Sequence, residues 1–193
     1  MIYNYSDIIK SADLQGKEQN KRYIYILLLC YPDKFSKIFC AISRCEYNHA
    51  SIGLGDSDGT FYSYVTKGFR KETPIKYPTF KNQEVPCKLY KIEVPDETYD
   101  ATKIALDNHI KQAHNFKYNF CGLMLCLLRI VFPIKNRYFC SQFVCEILEK
   151  IKAVPLTKHS SLYLPDDFTK MQGLDLCFSG FLSRLGNEFE PAI

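Results

Sequence analysis

The sequence of 193 residues contains no tryptophan, no C-x-x-C pair, no H-E-x-x-H motif and no glycine-rich phosphate-binding loop. The missing cysteine pairs argue against a zinc ribbon or a thioredoxin-like centre, and the missing loop against a nucleotide site. There are only four histidines, none with metal-ligand spacing, so neither a metal nor a cofactor is expected. An excess of charge of one sign is lacking too: 25 Lys and Arg against 21 Asp and Glu, a net of +4. So mild a balance gives no reason to expect a nucleic-acid partner or an anionic membrane. The longest apolar stretch, 120–134, is broken by Arg129 and Pro133 and falls short of a bilayer span, so stable membrane insertion is not expected. The first 22 residues lack the apolar segment of a secretory signal. A soluble, cytoplasmic protein is the expectation.

Apolar residues make up 47% of the chain and charged ones 24%, which suits one globular domain with a sizeable core. The polar residues 1–22 read as a lead-in, and 23–193 as a single domain. The nine cysteines are odd in number and scattered, several of them in apolar runs. This use fits buried free thiols in a reducing compartment.

Residues 23–30 form a continuous apolar run of strand length. Phe35, Ile38, Phe39 and Ile42 have the spacing of an amphipathic helix, with Asp33 as its cap. HASIGL (49–54) alternates, GDSDG (55–59) is turn chemistry, and 60–66 returns as a strand, so a β-hairpin is predicted. Its register, centred on Ser57, sets Ser51 opposite Ser63 and His49 opposite Val65. Residues 67–83 read as a loop and 84–94 as a strand. A helix follows from Asp96 to about Asn115, with Ala101, Ile104, Ala105 and Leu106 on its apolar side. Residues 119–132 are apolar nearly all round and predict a buried helix ended by Pro133. Cys140 to Lys152 predicts a third long helix, with Val144, Ile147, Leu148 and Ile151 inward. The remainder, 153–193, reads as irregular with short elements. The fold class is α+β.

Two residues stand out chemically. Cys140 opens a predicted helix, where exposed N–H groups and the helix dipole favour the nucleophilic thiolate. Its place on the stripe with Val144, Ile147 and Ile151 fits a buried core cysteine equally well. His49 begins a strand whose other face is apolar, which turns its ring away from that core. A nucleophilic Cys needs a base and an orienting group. Here the histidine precedes the cysteine, the reverse of the order in papain.

The segments HASIGL (49–54) and YFCSQFV (138–144), with FYSY (61–64) and GFRKE (68–72), resemble the circularly permuted papain-like cysteine peptidase and amidase superfamily. This group relates to the NlpC-type cell-wall amidases, the bacterial YiiX/YaeF-like proteins and, distantly, the lecithin retinol acyltransferase-like enzymes. The similarity runs from about residue 23 to residue 168. It implies an antiparallel sheet packed on helices, with Cys140 as nucleophile at a helix N-terminus and His49 as base. It also places Tyr138 near an oxyanion site. The third member departs from the better-known pattern. Ser63, diagonal to His49 in the hairpin, is one candidate, and Glu72, reachable if the loop folds back, is another. Gln142 is a possible cleft-lining residue. The implied function is a cysteine hydrolase, an amidase or peptidase, or an acyl-transfer enzyme, working through an acyl-thioester on a peptide, amide or lipid-acyl substrate. A Ser orients an imidazole only weakly compared with a carboxylate, which leaves a second reading, a papain-like fold without catalysis that serves as a binding module.

Overall fold

The structure is a computed structural model that describes residues 21–56, 59–76 and 83–188. All but the last two residues of the expected polar lead-in lie outside this range. The fold is α+β. Six strands, all antiparallel, form one sheet in the order β4-β3-β2-β1-β5-β8. They are β1 (Arg22–Leu29), β2 (His49–Leu54), β3 (Phe61–Val65), β4 (Gly68–Glu72), β5 (Pro86–Val94) and β8 (Asp175–Phe181). Two short strands, β6 (Lys117–Tyr118) and β7 (Arg137–Tyr138), pair in parallel apart from it. The helices are α1 (Lys34–Ser43), α2 (Asp96–Lys111), α3 (Phe120–Leu127), α4 (Cys140–Lys150) and α5 (Leu182–Glu188).

The continuous apolar run of β1 has a direct cause: the strand is central and covered on both faces. Ile24, Ile26 and Leu28 pack with Ala50 and Ile52 of β2, with Tyr99, Ala105 and Leu106 of α2, and with Phe143, Val144, Ile147 and Leu148 of α4. Tyr25, Leu27 and Leu29 join the second cluster, with Leu89 of β5 and with Leu182 and Leu185 of α5. The alternation in β2 is therefore hidden by burial, and all six of its residues are inside. Its register against β3, with Ile52 opposite Tyr62 and Gly53 opposite Phe61, is the expected one.

Several expectations are corrected. The stretch 67–83, read as a loop, contains β4. Val65 pairs with Gly68 across a two-residue connection, and Gly68 has φ +108°, a conformation that favours glycine. The glycine that suggested a loop makes a hairpin turn, and β4 is an edge strand whose exposed Arg70 and Lys71 suit an unpaired edge. The irregular tail contains the seven-residue strand β8 at the other edge, with Asp175, Leu176 and Cys177 exposed, so no buried face marked it.

The third correction concerns the apolar helix at 119–132. It stops at Leu127, and Arg129 has φ +59°. Gly122, Leu123 and Cys126 are buried, but Phe120, Met124 and Leu128 are exposed, as are Ile130, Val131 and Phe132. The predicted apolar stripe of α1 behaves likewise. Asp33 accepts a hydrogen bond from the Ser36 N–H at 3.0 Å and caps the helix, yet only Phe39 of the stripe is buried. On α2 the buried residues are Tyr99, Thr102, Ala105 and Leu106, while Ala101 and Ile104 face outward. No helix among the described residues is long and apolar enough to cross a membrane.

Candidate active site

Cys140 is the first residue of α4. Phe139, fully buried, ends the preceding segment in an extended conformation and contributes no side-chain cap. The N–H groups of the first turn therefore have no intrahelical acceptor and face the sulfur's surroundings. Seven further residues of α4 are buried, and this packing on the sheet fixes where the helix starts. The Cys140 thiol lies 4.0 Å from the Asn48 carbonyl oxygen, the residue before His49. The helix head and the start of β2 are thus in contact.

His49 is 5% exposed and Glu72 8%, and Nε2 of the imidazole lies 2.8 Å from Oε1 of the carboxylate. β3 separates β2 from β4 in the sheet, and the two side chains close that gap. With Nε2 on the carboxylate, Nδ1 is the ring nitrogen left for the sulfur. Burial disfavours the charged form of His49. The Glu72 carboxylate and the hydrogen bond to Cys140 outweigh it and lift the imidazole from its ordinary 6.5 to about 10. Burial raises the Glu72 carboxyl, but the His49 charge and hydrogen bond, with help from Ser51 and Arg70, bring it below its ordinary value. Ser51 Oγ is enclosed without a well-formed hydrogen bond and leans on this carboxylate. Burial likewise pushes the Cys140 thiol up. The hydrogen bond and charge of His49, aided by the backbone N–H groups of Ala50 and Ser141, pull it down below an ordinary thiol. The other shifted thiols all go the opposite way: burial raises Cys30, Cys40, Cys45, Cys145 and Cys177, and takes Cys87 and Cys126 to about 12.

A cleft of about 310 Å³ opens over the pair, lined among others by Tyr31, Asn48, His49, Tyr64, Tyr118 and Cys140. A narrow recess bounded by Phe35, Phe39, Tyr118, Leu123 and Pro165 meets the sulfur from the α1 and α3 side.

The other candidates lie elsewhere. Ser63 Oγ donates to the Ala50 carbonyl at 2.6 Å, so it ties β3 to β2 and does not hold the imidazole. Glu72, the other candidate, lies against the imidazole because β4 carries it there. Tyr138 belongs to an aromatic cluster with Tyr64 (centroids 5.1 Å apart), His109, Phe116 and Phe143, not to the cleft wall. Gln142 is buried and donates to Glu146 Oε1 at 2.9 Å. His109 lies within the same aromatic cluster, and burial holds its pKa down to about 4.

Two cleft residues carried no sequence signal. The Tyr31 ring sits against His49 with centroids 5.3 Å apart. Asn48 pins it there: its Oδ1 accepts from the Tyr31 N–H at 2.9 Å and its Nδ2 donates to the Tyr31 carbonyl at 3.0 Å. Both follow from the end of β1 lying beside the start of β2, with Leu29 opposite His49.

No model of a known protein family matches the chain, and no curated protein matches it either. Among the described residues no group of three or more His, Cys, Asp or Glu side chains is placed to hold a metal ion.

Proposed function

We propose that the protein is a cysteine hydrolase or acyl-transfer enzyme with a Cys140–His49–Glu72 triad on a circularly permuted papain-like fold. The observation that carries this reading is the buried 2.8 Å contact of His49 with Glu72 beside a thiol pulled below its ordinary pKa. A raised imidazole and a lowered thiol describe a resting thiolate–imidazolium pair, the activated form of a cysteine nucleophile. The thiolate attacks an amide or ester carbonyl. The proton on His49 Nδ1 passes to the leaving amine or alkoxide as the carbon–heteroatom bond breaks. An acyl-thioester on Cys140 remains. Water or another acceptor then attacks it, giving its proton back to His49 and restoring the thiolate. The Cys140 N–H, at the helix head, is the candidate donor to the oxyanion. Glu72 keeps the ring oriented and favours its charged form. A buried carboxylate in that position favours an enzyme over a non-catalytic binding module.

The test is selective labelling. An epoxide or acyl electrophile is expected to modify Cys140 ahead of the other eight thiols, and His49→Ala to abolish that preference. Equal modification of several cysteines, indifferent to His49→Ala, overturns the proposal.

A further inference from the structure

We propose that the face formed by α1, α3 and the segment after α3 docks on the surface of an anionic lipid bilayer, with the Cys140 cleft opening beside it. The first observation is an uncovered apolar surface built from two parts of the chain. Phe35, Ile38 and Ile42 lie on one side of α1, and each is at least half exposed, at 51%, 60% and 62%. Phe120 and Met124 of α3 and Leu128 just after it are also exposed, at 47%, 57% and 68%, and Ile130, Val131 and Phe132 continue the exposure. The two parts meet: the Phe35 and Phe120 rings are edge to face with centroids 6.4 Å apart. Clustered exposure of this kind marks an interaction surface, in contrast to isolated exposed side chains.

The second observation is charge, and it decides the occupant. Residues 34–45 and 117–139 together contain seven basic residues and no acidic one. They are Lys34, Lys37 and Arg44 on the α1 side, and Lys117, Arg129, Lys135 and Arg137 on the other. All seven are exposed. Two acids flank the α1 segment: Asp33 is committed to the α1 cap, and the exposed Glu46 accepts from the Tyr47 hydroxyl at 3.1 Å. Apolar side chains on two segments that carry seven cations and no acid match a bilayer whose headgroups are negative: the apolar groups enter the interface and the cations meet the phosphates. Two segments charged in one sense only are a poor match for a second copy of themselves, because like charges would face each other. No described helix is long and apolar enough to span the bilayer, so the protein would lie on it.

The third observation is position. Phe35 and Tyr118 line the cleft over Cys140, and Tyr118 stacks edge to face on Phe120 at 4.7 Å. The apolar surface therefore begins at the cleft wall.

The test is co-sedimentation of the full chain with vesicles of phosphatidylglycerol and phosphatidylcholine in about equal parts, against vesicles of phosphatidylcholine alone. The expected result is at least about tenfold tighter binding to the anionic vesicles, weakened as salt is raised. Ile38→Ser with Met124→Ser, both at exposed sites, is expected to lower binding about tenfold. Lys37→Glu with Arg129→Glu is expected to abolish the preference for anionic vesicles without touching the apolar residues. Binding that ignores lipid charge, binding unchanged in both variants, or no binding overturns the proposal. So does a concentration-dependent dimer that these variants dissolve, which would make a second copy the occupant. Cys140→Ser is expected to bind vesicles like the native chain, so a failure of the proposed chemistry leaves this result standing, and the reverse.

Discussion

Glu72 and Ser63 separate a carboxylate that shifts a buried imidazole from a hydroxyl that holds backbone. Glu72→Gln removes the charge that keeps His49 protonated. The rate of iodoacetamide reaction with Cys140, followed against pH, is then expected to move its midpoint toward the ordinary thiol value near 9. Ser63→Ala should leave that midpoint in place. It should instead cost about 1 kcal/mol of stability, read by denaturant unfolding, because the Ala50 carbonyl loses its short hydrogen bond. A shifted midpoint in Ser63→Ala with none in Glu72→Gln would reverse the two roles. Tyr31 owes its place beside His49 to two hydrogen bonds exchanged with Asn48, a contact invisible in either residue's neighbours along the chain.

At the level of elements, α1 and α4 use opposite strategies. The first is held by a local signal, the Asp33 cap, with a single buried anchor at Phe39. Asp33→Ala should cost about 1 kcal/mol, and hydrogen exchange should quicken in 34–43 before the rest of the chain. α4 has no side-chain cap and depends on packing. Phe143, fully buried, touches the rings of Tyr64, Phe69, His109 and Tyr138. Phe143→Ala should cost about 3–5 kcal/mol in the same unfolding measurement. Since α4 carries Cys140 at its head, that variant is also expected to slow alkylation at neutral pH. β4 is the element on which the site depends most. Its turn at Gly68 and its charged edge positions suit a loop as well as a strand, yet only as a strand beside β3 does it bring Glu72 to His49.

The whole molecule should report the buried pair through pH. His49 is raised from 6.5 to about 10, so its share of stability is full below pH 6.5 and gone above about 10. Glu72 is lowered from 4.5, so its share is full above that pH and fades on further acidification. The stability advantage of the native chain over Glu72→Gln should therefore be greatest between about pH 4.5 and 6.5 and shrink on both sides. Thermal unfolding of both chains across pH checks this, and a flat difference would contradict it. Charge also changes meaning at this scale. A net of +4 spread over the chain gives by itself no reason to expect an anionic partner. The fold places 34–45 against 117–139, with no acid in either, and makes a local basic and apolar surface from a mild average.

The sequence by itself determined what local physics can determine. The apolar run of β1, the capped start of α1, the hairpin register and the start of a helix at Cys140 follow from periodicity, capping and turn chemistry, which act over a few residues. It also singled out His49 and Cys140 as a pair. Tertiary structure alone decided which acid meets His49, that Tyr138 packs away from the cleft while Tyr31 lines it, and that the apolar helix at 120 is half uncovered. Those outcomes depend on which strands become neighbours and on which faces run out of partners. Such contacts join residues far apart in the chain, and no spacing along it encodes them.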